Sequence, residues 1–151
     1  MRHVSDRTLS RALRAVLTAV ALAFAGLLVL MNFERIESER AYPALAHLGW
    51  PVYLAVIAGF VPVFLGIGSA WRWTRLAGRG AGRSPAAVAA VRRISHCGLA
   101  VSAWFTAGLP AWLIASGGMD PPFITLWMLV NVPTWFVILT AALFARALAQ
   151  D

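Results

Sequence analysis

WPVYLAVIAGFVPVFLGIGSAW, residues 50–71, decides the fold class, because none of its 22 residues carries a charge. A helix needs about 20 apolar residues to cross the hydrocarbon core of a bilayer. In lipid, a helix satisfies its own backbone hydrogen bonds, which the surroundings cannot do. The stretch lacks the alternation of apolar and polar residues that is typical of a spanning β-strand. It is therefore predicted to be a transmembrane helix.

Three further stretches have the same character, and they run from about residue 15 to 33, from 94 to 116 and from 122 to 145. The chain of 151 residues is 60% hydrophobic and 13% charged, whereas soluble domains are roughly 45–50% apolar. A soluble domain of this size could not bury so much apolar surface. The sequence predicts a single all-α membrane domain over residues 1–151, with four transmembrane helices in an up-down four-helix bundle.

The first stretch also has the basic start of a signal peptide. Its apolar run is longer than the usual core of about 7–15 residues, and no small-residue cleavage site follows closely. We expect an uncleaved first helix.

Charge is distributed unevenly between the segments that join these stretches. The segment before the first stretch has a net charge of +3 and segment 72–93 a net of +6, whereas segments 34–49 and 117–121 each have −1. Basic segments stay in the cytoplasm. Both termini and the loop 72–93 are therefore predicted to be cytoplasmic. The use of arginine for all 13 basic residues resembles the codon bias of high-GC bacteria and indicates no function. The expected location is the bacterial inner (plasma) membrane.

The loop 72–93 is the largest predicted cytoplasmic segment, and Ser84 followed by Pro85 predicts that a long helix begins there. Its arginines admit two interpretations. They set the topology and contact anionic lipid headgroups, at about 1 kcal/mol each, or they form a docking site for an acidic cytoplasmic partner. The candidate partner- or lipid-binding residues are Arg75, Arg79, Arg83, Arg92 and Arg93.

Catalytic and metal-binding patterns do not stand out in the sequence. It contains no nucleophile–base pair, phosphate loop or paired carboxylates, so we expect no enzyme activity and no cofactor. His96 and Cys97 lack the further ligands that a zinc site needs, and they are interpreted as packing residues. The last three stretches hold no ionisable residue deep inside, which argues against ion-coupled transport. Direct binding of nucleic acid is not expected.

Asn131 is the one strongly polar group within the predicted spans. A buried amide usually hydrogen-bonds to a neighbouring helix, and a substrate contact is the alternative. Trp104 and Trp135 are interpreted as packing residues, with a ligand cavity as the alternative. A small-molecule binder or transporter with an intramembrane cavity therefore stays open, as does a structural subunit of a membrane complex or a homo-oligomer. Gly59 and Gly66 favour close approach of another helix.

Several short motifs resemble the bacterial family named domain of unknown function 2975, over roughly residues 41–149. The motifs are Tyr42-Pro43, Pro51, Trp71, Ser84-Pro85, Val91-Arg92-Arg93-Ile94 before Cys97, and Gly108 with Pro110. The resemblance implies a four-span protein without established activity. Members are frequently encoded beside small helix-turn-helix regulators, so it also implies a membrane partner that holds or inhibits a cytoplasmic transcription regulator. Arg83 stands where the family often has an aromatic residue.

Overall fold

The computed structural model describes the backbone of residues 6–115 and 121–150, and the side chains of residues 8–44, 46–108, 128 and 131–149. The described residues form four α-helices and no strand, which confirms the predicted all-α class. A 3-10 helix, Pro43–Leu45, joins the first two helices. The α-helices are α1 Asp6–Ala41, α2 Ala46–Ala77, α3 Pro85–Ala115 and α4 Pro121–Gln150.

The helices extend beyond the predicted spans, so the predicted loops are too long. Helix α2 continues to Ala77 and α3 begins at Pro85, which reduces the predicted loop 72–93 to residues 78–84. Arginine and glutamate are good helix formers, so the helices continue where the apolar run has ended. The predicted helix start is confirmed, because the Ala87 N–H donates to the Ser84 hydroxyl oxygen at 3.3 Å.

Three helical segments are long and apolar enough to cross a membrane within the described residues, not four. They are Thr8–Ala41, Ala46–Ala77 and Asn131–Ala149. Helix α3 is not among them, because its described part contains the polar run Arg92, Arg93, Ser95 and His96.

Neighbouring helices run antiparallel in chain order. Phe24 of α1 packs against Phe60 of α2 with ring centroids 5.6 Å apart, and the Ser95 hydroxyl of α3 donates to Ile138 O of α4 at 3.2 Å. Contacts join α1 to α2, α2 to α3 and α3 to α4, whereas no described Cα of α1 lies within 8 Å of one in α4. The predicted bundle is therefore open between its first and last helices.

Glycines allow the close approach of α3 to both of its neighbours. A Cβ added to Gly59 of α2 would lie 2.8 Å from Trp104 Cδ1, and one added to Gly98 of α3 would lie 2.6 Å from Ile138 Cγ1. Gly66 is looser, with its Cβ position 3.5 Å from Cys97 Cβ. Close packing of small residues drives helix association in lipid, so α3 is fixed between α2 and α4.

Candidate functional site

The antiparallel order places most arginines at one end of the molecule. We call this the arginine end; it is formed by the start of α1, the end of α2, the start of α3 and the end of α4. The three carboxylates whose side chains are described, Glu34, Glu37 and Glu39, belong to the opposite end. The described arginines at the arginine end are Arg11, Arg14, Arg72, Arg75, Arg79, Arg83, Arg92, Arg93 and Arg146.

Four of these arginines line one cleft between α1 and α2, which we call the arginine cleft. Helix α1 contributes Arg11 and Arg14, α2 contributes Arg75, and the turn after α2 contributes Arg79. The cleft has a volume of about 290 Å³, and Ser10 and Gly78 complete its lining. The two helices and the turn after α2 thus bring four guanidinium groups to one concave surface.

A contact between Ser10 and Thr74 holds the two helices together at this level. The Ser10 hydroxyl donates to Thr74 O at 2.8 Å, and Thr74 is only 2% exposed. A Cβ on Gly78 would lie 2.6 Å from the Ser10 hydroxyl oxygen. Arg14 Nε donates to Ser10 O at 3.1 Å, which orients that side chain. Close approach at Gly78 is therefore what brings the arginines together.

The two flanks of this helix contact differ in polarity. At about 100° per residue, Arg11 and Arg14 lie on one flank of Ser10, and Leu13 and Leu17 lie on the other. The leucine flank faces a second cavity, which we call the apolar groove. The Ser10–Thr74 contact therefore separates a basic cleft from an apolar groove.

The apolar groove has a volume of about 320 Å³ and is lined by side chains from all four helices. It lies beside the cluster of Val91, Ala141 and Ala145, against which Trp73 packs. The Trp73 ring contacts Phe144 edge-on at 5.5 Å. Its indole N–H is buried without a hydrogen-bond partner in the part of the chain that the structure describes. The groove is therefore almost wholly apolar, and the Trp73 N–H is buried behind its wall.

The five arginines predicted from the loop fall into two groups. Arg75 and Arg79 line the arginine cleft, whereas Arg83, Arg92 and Arg93 are exposed outside it. Sequence reasoning used Arg11 and Arg14 only to assign orientation and missed them as cleft residues. The available signal was the antiparallel return of α2, which brings its last turns beside the first turns of α1.

Asn131 joins α4 to α3 in the middle of the structure. The Ser102 hydroxyl donates to Asn131 Oδ1 at 2.7 Å, and both residues are buried. Trp104 Nε1 donates to Ala55 O of α2 at 3.0 Å. Neither the arginine cleft nor the apolar groove is lined by Asn131, Trp104 or Trp135. This level of the molecule holds helices together, and the described cavities lie nearer the arginine end.

His96 is exposed and Cys97 is half-buried at the start of the predicted third span. Among the residues that the structure describes, no three histidine, cysteine or acidic side chains come together as a metal site.

The opposite end contains a cluster centred on Arg35. Its guanidinium pairs with Glu39 at 2.5 Å and donates to Asn32 Oδ1 at 3.1 Å. It also stacks over the Trp50 ring, 4.3 Å from the centroid. Glu39 lies against Gly49, where a Cβ would clash with the carboxylate oxygen. Arg35 therefore has its charge paired and all three of its guanidinium nitrogens bonded within the chain.

Three apolar helical segments of spanning length place the chain in the class of helical membrane proteins. The family model described as Protein of unknown function (DUF2975) matches residues 35–151. The chain belongs to that family. The match includes Arg35 with its partners Glu39 and Trp50, the Ser102–Asn131 contact, and Arg75 and Arg79 of the arginine cleft. Ser10, Arg11, Arg14 and Asn32 precede it. No curated protein and no solved structure matches the chain.

Proposed function

We propose that the chain is a non-enzymatic, four-span protein of the bacterial inner membrane that holds an acidic cytoplasmic regulator at its arginine end. The observation that carries the proposal is the separation of charge along the helix axes. Nine described arginines lie at one end and all three described carboxylates at the other. A surface of one sign attracts partners of the opposite sign and accelerates their association.

The packing of α3 supports a fourth membrane crossing. Ser95 and Ser102 of α3 bond to Ile138 and Asn131, and these two residues lie within the apolar segment Asn131–Ala149 of α4. If that segment crosses the bilayer, α3 lies beside it at the same depth. The α3 hydroxyls bond to α4, and lipid could not satisfy them.

The positive-inside rule supports a cytoplasmic arginine end, because basic segments near membrane spans resist translocation. Reporter fusions test this orientation. We expect green fluorescent protein to fluoresce when fused after Gly80, and alkaline phosphatase to be active when fused after Pro43. The reverse pattern would overturn the proposal.

Arg83, Arg92 and Arg93 form the surface proposed for the regulator, because all three are exposed. The connection that carries Arg83 is hydrogen-bonded, with Ala81 N–H donating to Leu76 O at 2.9 Å. Gly80 adopts a φ of +77°, which favours glycine, in the turn after α2. A preorganised surface loses less entropy when a partner binds.

Co-purification tests the partner. The tagged full chain is expressed with the helix-turn-helix regulator that the family resemblance leads us to expect beside its gene. We expect the combined variant R83A, R92A and R93A to retain at least tenfold less regulator than wild type. The matched control is R11A, R75A and R79A, which removes the same charge from the cleft and should retain the regulator. Equal retention by wild type and the first variant would refute the proposal.

A small-molecule binder is a second candidate, because the apolar groove is an open cavity of about 320 Å³ lined by side chains from all four helices. Apolar pockets with few polar groups are typical of ligand sites. The exposed groove residue Thr140 allows a test. The variant T140F should weaken binding of an environment-sensitive apolar dye severalfold, and unchanged dye binding would count against this function.

A further inference from the structure

We infer that the arginine cleft binds the phosphate of an anionic phospholipid headgroup. The first support is electrostatic: four guanidinium groups from α1, α2 and the turn after α2 line one concavity. Among the side chains that the structure describes, no carboxylate lies within 4.0 Å of any of them. Like charges repel one another, so an anion in the cleft offsets the repulsion between these guanidinium groups.

The chemistry of the lining selects phosphate. Guanidinium groups stay charged and present paired donors that match phosphate oxygens. The other polar groups of the lining are already used, because the Ser10 hydroxyl donates to Thr74 O at 2.8 Å and the Gly78 N–H donates to the same oxygen at 3.0 Å. Recognition therefore rests on guanidinium groups alone, which favours a phosphodiester of net negative charge over a zwitterionic one, because the arginines repel its ammonium group.

The position of the cleft favours lipid as the source of the phosphate. It opens at the end of two helices that are long and apolar enough to span a membrane, and basic pockets between such helices bind anionic headgroups. Leu22 lies about three turns from Arg11 on the same flank and is 68% exposed. Leu65, ten residues before Arg75 in α2, is 59% exposed. These leucines offer an apolar surface for the acyl chains below the headgroup.

The inference does not depend on the proposed regulator, because Arg83, Arg92 and Arg93 lie outside the cleft. Native mass spectrometry of the full chain in detergent tests it. The probes are phosphatidylglycerol, phosphatidylcholine with the same acyl chains, and inorganic phosphate. Wild type should retain phosphatidylglycerol at least tenfold better than phosphatidylcholine, and millimolar phosphate should not displace it.

The cleft variant R11A, R75A and R79A should lose at least tenfold in retention of phosphatidylglycerol, whereas R83A, R92A and R93A should change it less than twofold. Arg14 is left intact because it bonds to Ser10 O. The variant R11K, R75K and R79K keeps the charge and should recover part of the binding. Such recovery would show that substitution at these three positions leaves the chain folded.

Three outcomes would overturn the inference. Equal retention of the two lipids would mean that the cleft does not distinguish an anionic from a zwitterionic headgroup. Equal loss in both alanine variants would mean that net charge acts without a site. Displacement of phosphatidylglycerol by inorganic phosphate would assign the cleft to a free anion.

Discussion

The two ends of the molecule use arginine in opposite ways. At the end that lies away from the arginine end, Arg35 pairs with Glu39, bonds to Asn32 and stacks on Trp50. At the arginine end, Arg75 and Arg79 are exposed in a cleft whose described lining contains only other arginines, a serine and a glycine. The first arrangement therefore stabilises the folded state itself, whereas the second makes binding of an anion favourable.

Burial explains why the two arrangements differ in energy. The side chains of Arg35 and Glu39 are 11% and 26% exposed, so water screens their attraction only in part. Fully exposed pairs contribute about 0–1 kcal/mol, and hydrogen bonds to charged groups contribute about 1.5–3 kcal/mol. Substitutions in the Arg35 cluster should therefore reduce stability more than binding. Substitutions in the arginine cleft should reduce binding more than stability.

The largest expected loss of stability is for Arg35→Ala. The change removes an ion pair, a bond to Asn32 and a cation–π contact with Trp50, and it leaves Glu39 without its partner. We expect destabilisation of about 2–3 kcal/mol, measured by thermal unfolding in detergent with circular dichroism.

Arg40→Ala is the matched control, because Arg40 lies in the last turn of α1 and is exposed. It should change stability by less than about 0.5 kcal/mol. Equal effects of the two substitutions would mean that the Arg35 cluster contributes nothing specific.

The next largest effect is expected for Gly78→Ala, which acts on the contact that shapes the cleft. Its Cβ would lie 2.6 Å from the Ser10 hydroxyl oxygen and 3.0 Å from Ser10 Cβ. The hydroxyl must rotate away from Thr74 O, or α1 must move. We expect a loss of about 1–2 kcal/mol in the same unfolding assay, together with weaker retention of phosphatidylglycerol.

Gly68→Ala, ten residues earlier within α2, is the control, because no atom lies within 4 Å of its Cβ position. It should stabilise α2 by up to about 1 kcal/mol, since alanine favours helix more than glycine does. A loss at Gly68 as large as at Gly78 would show that close approach to Ser10 is not the cause.

The fold class could be predicted from the sequence because lipid requires long apolar helices, and such stretches are visible without knowledge of packing. Helix ends could not be predicted as well. Residues 34–41 and 72–77 are polar enough to suggest loops, yet both continue helices. The Arg35–Glu39 pair, four residues apart, stabilises such an extension. Hydrophobicity measures where lipid contact ends, which is a different boundary from where the helix ends.

The candidate site was predicted only in part, for a physical reason. Arg75 and Arg79 were named because they lie in one basic run of sequence. Arg11 and Arg14 join them through the register of α1 against α2, which depends on the contact of Ser10 with Thr74. Sequence spacing fixes which residues share a face of one helix, but it does not fix which residue of a neighbouring helix lies opposite.

A smaller loss of stability is expected for Ser102→Ala. Ser102 lies between the two ends of the molecule. The change removes the hydroxyl that donates to Asn131 Oδ1 at 2.7 Å. Such contacts between membrane helices contribute about 0.6 kcal/mol on average, and we expect a loss of that size by thermal unfolding. The loss should not depend on salt, because both groups are neutral. A loss that disappears in 0.5 M salt, which screens exposed charges, would contradict this assignment.

The smallest expected change in detergent alone is for Arg75→Ala. Removing one of four like charges costs no ion pair among the described residues, so stability should stay within about 0.5 kcal/mol of wild type. The effect of Arg75→Ala on stability should become visible when phosphatidylglycerol is added. A ligand that binds only the folded state stabilises it by about 2.7 kcal/mol at a hundred times its Kd. Wild type should therefore gain stability with phosphatidylglycerol, and the variant should gain much less. Phosphatidylcholine should affect the stability of wild type and variant equally. If Arg75→Ala destabilises the chain as much as Arg35→Ala without lipid, the arginine end is part of the folding core, and the contrast between the two ends fails.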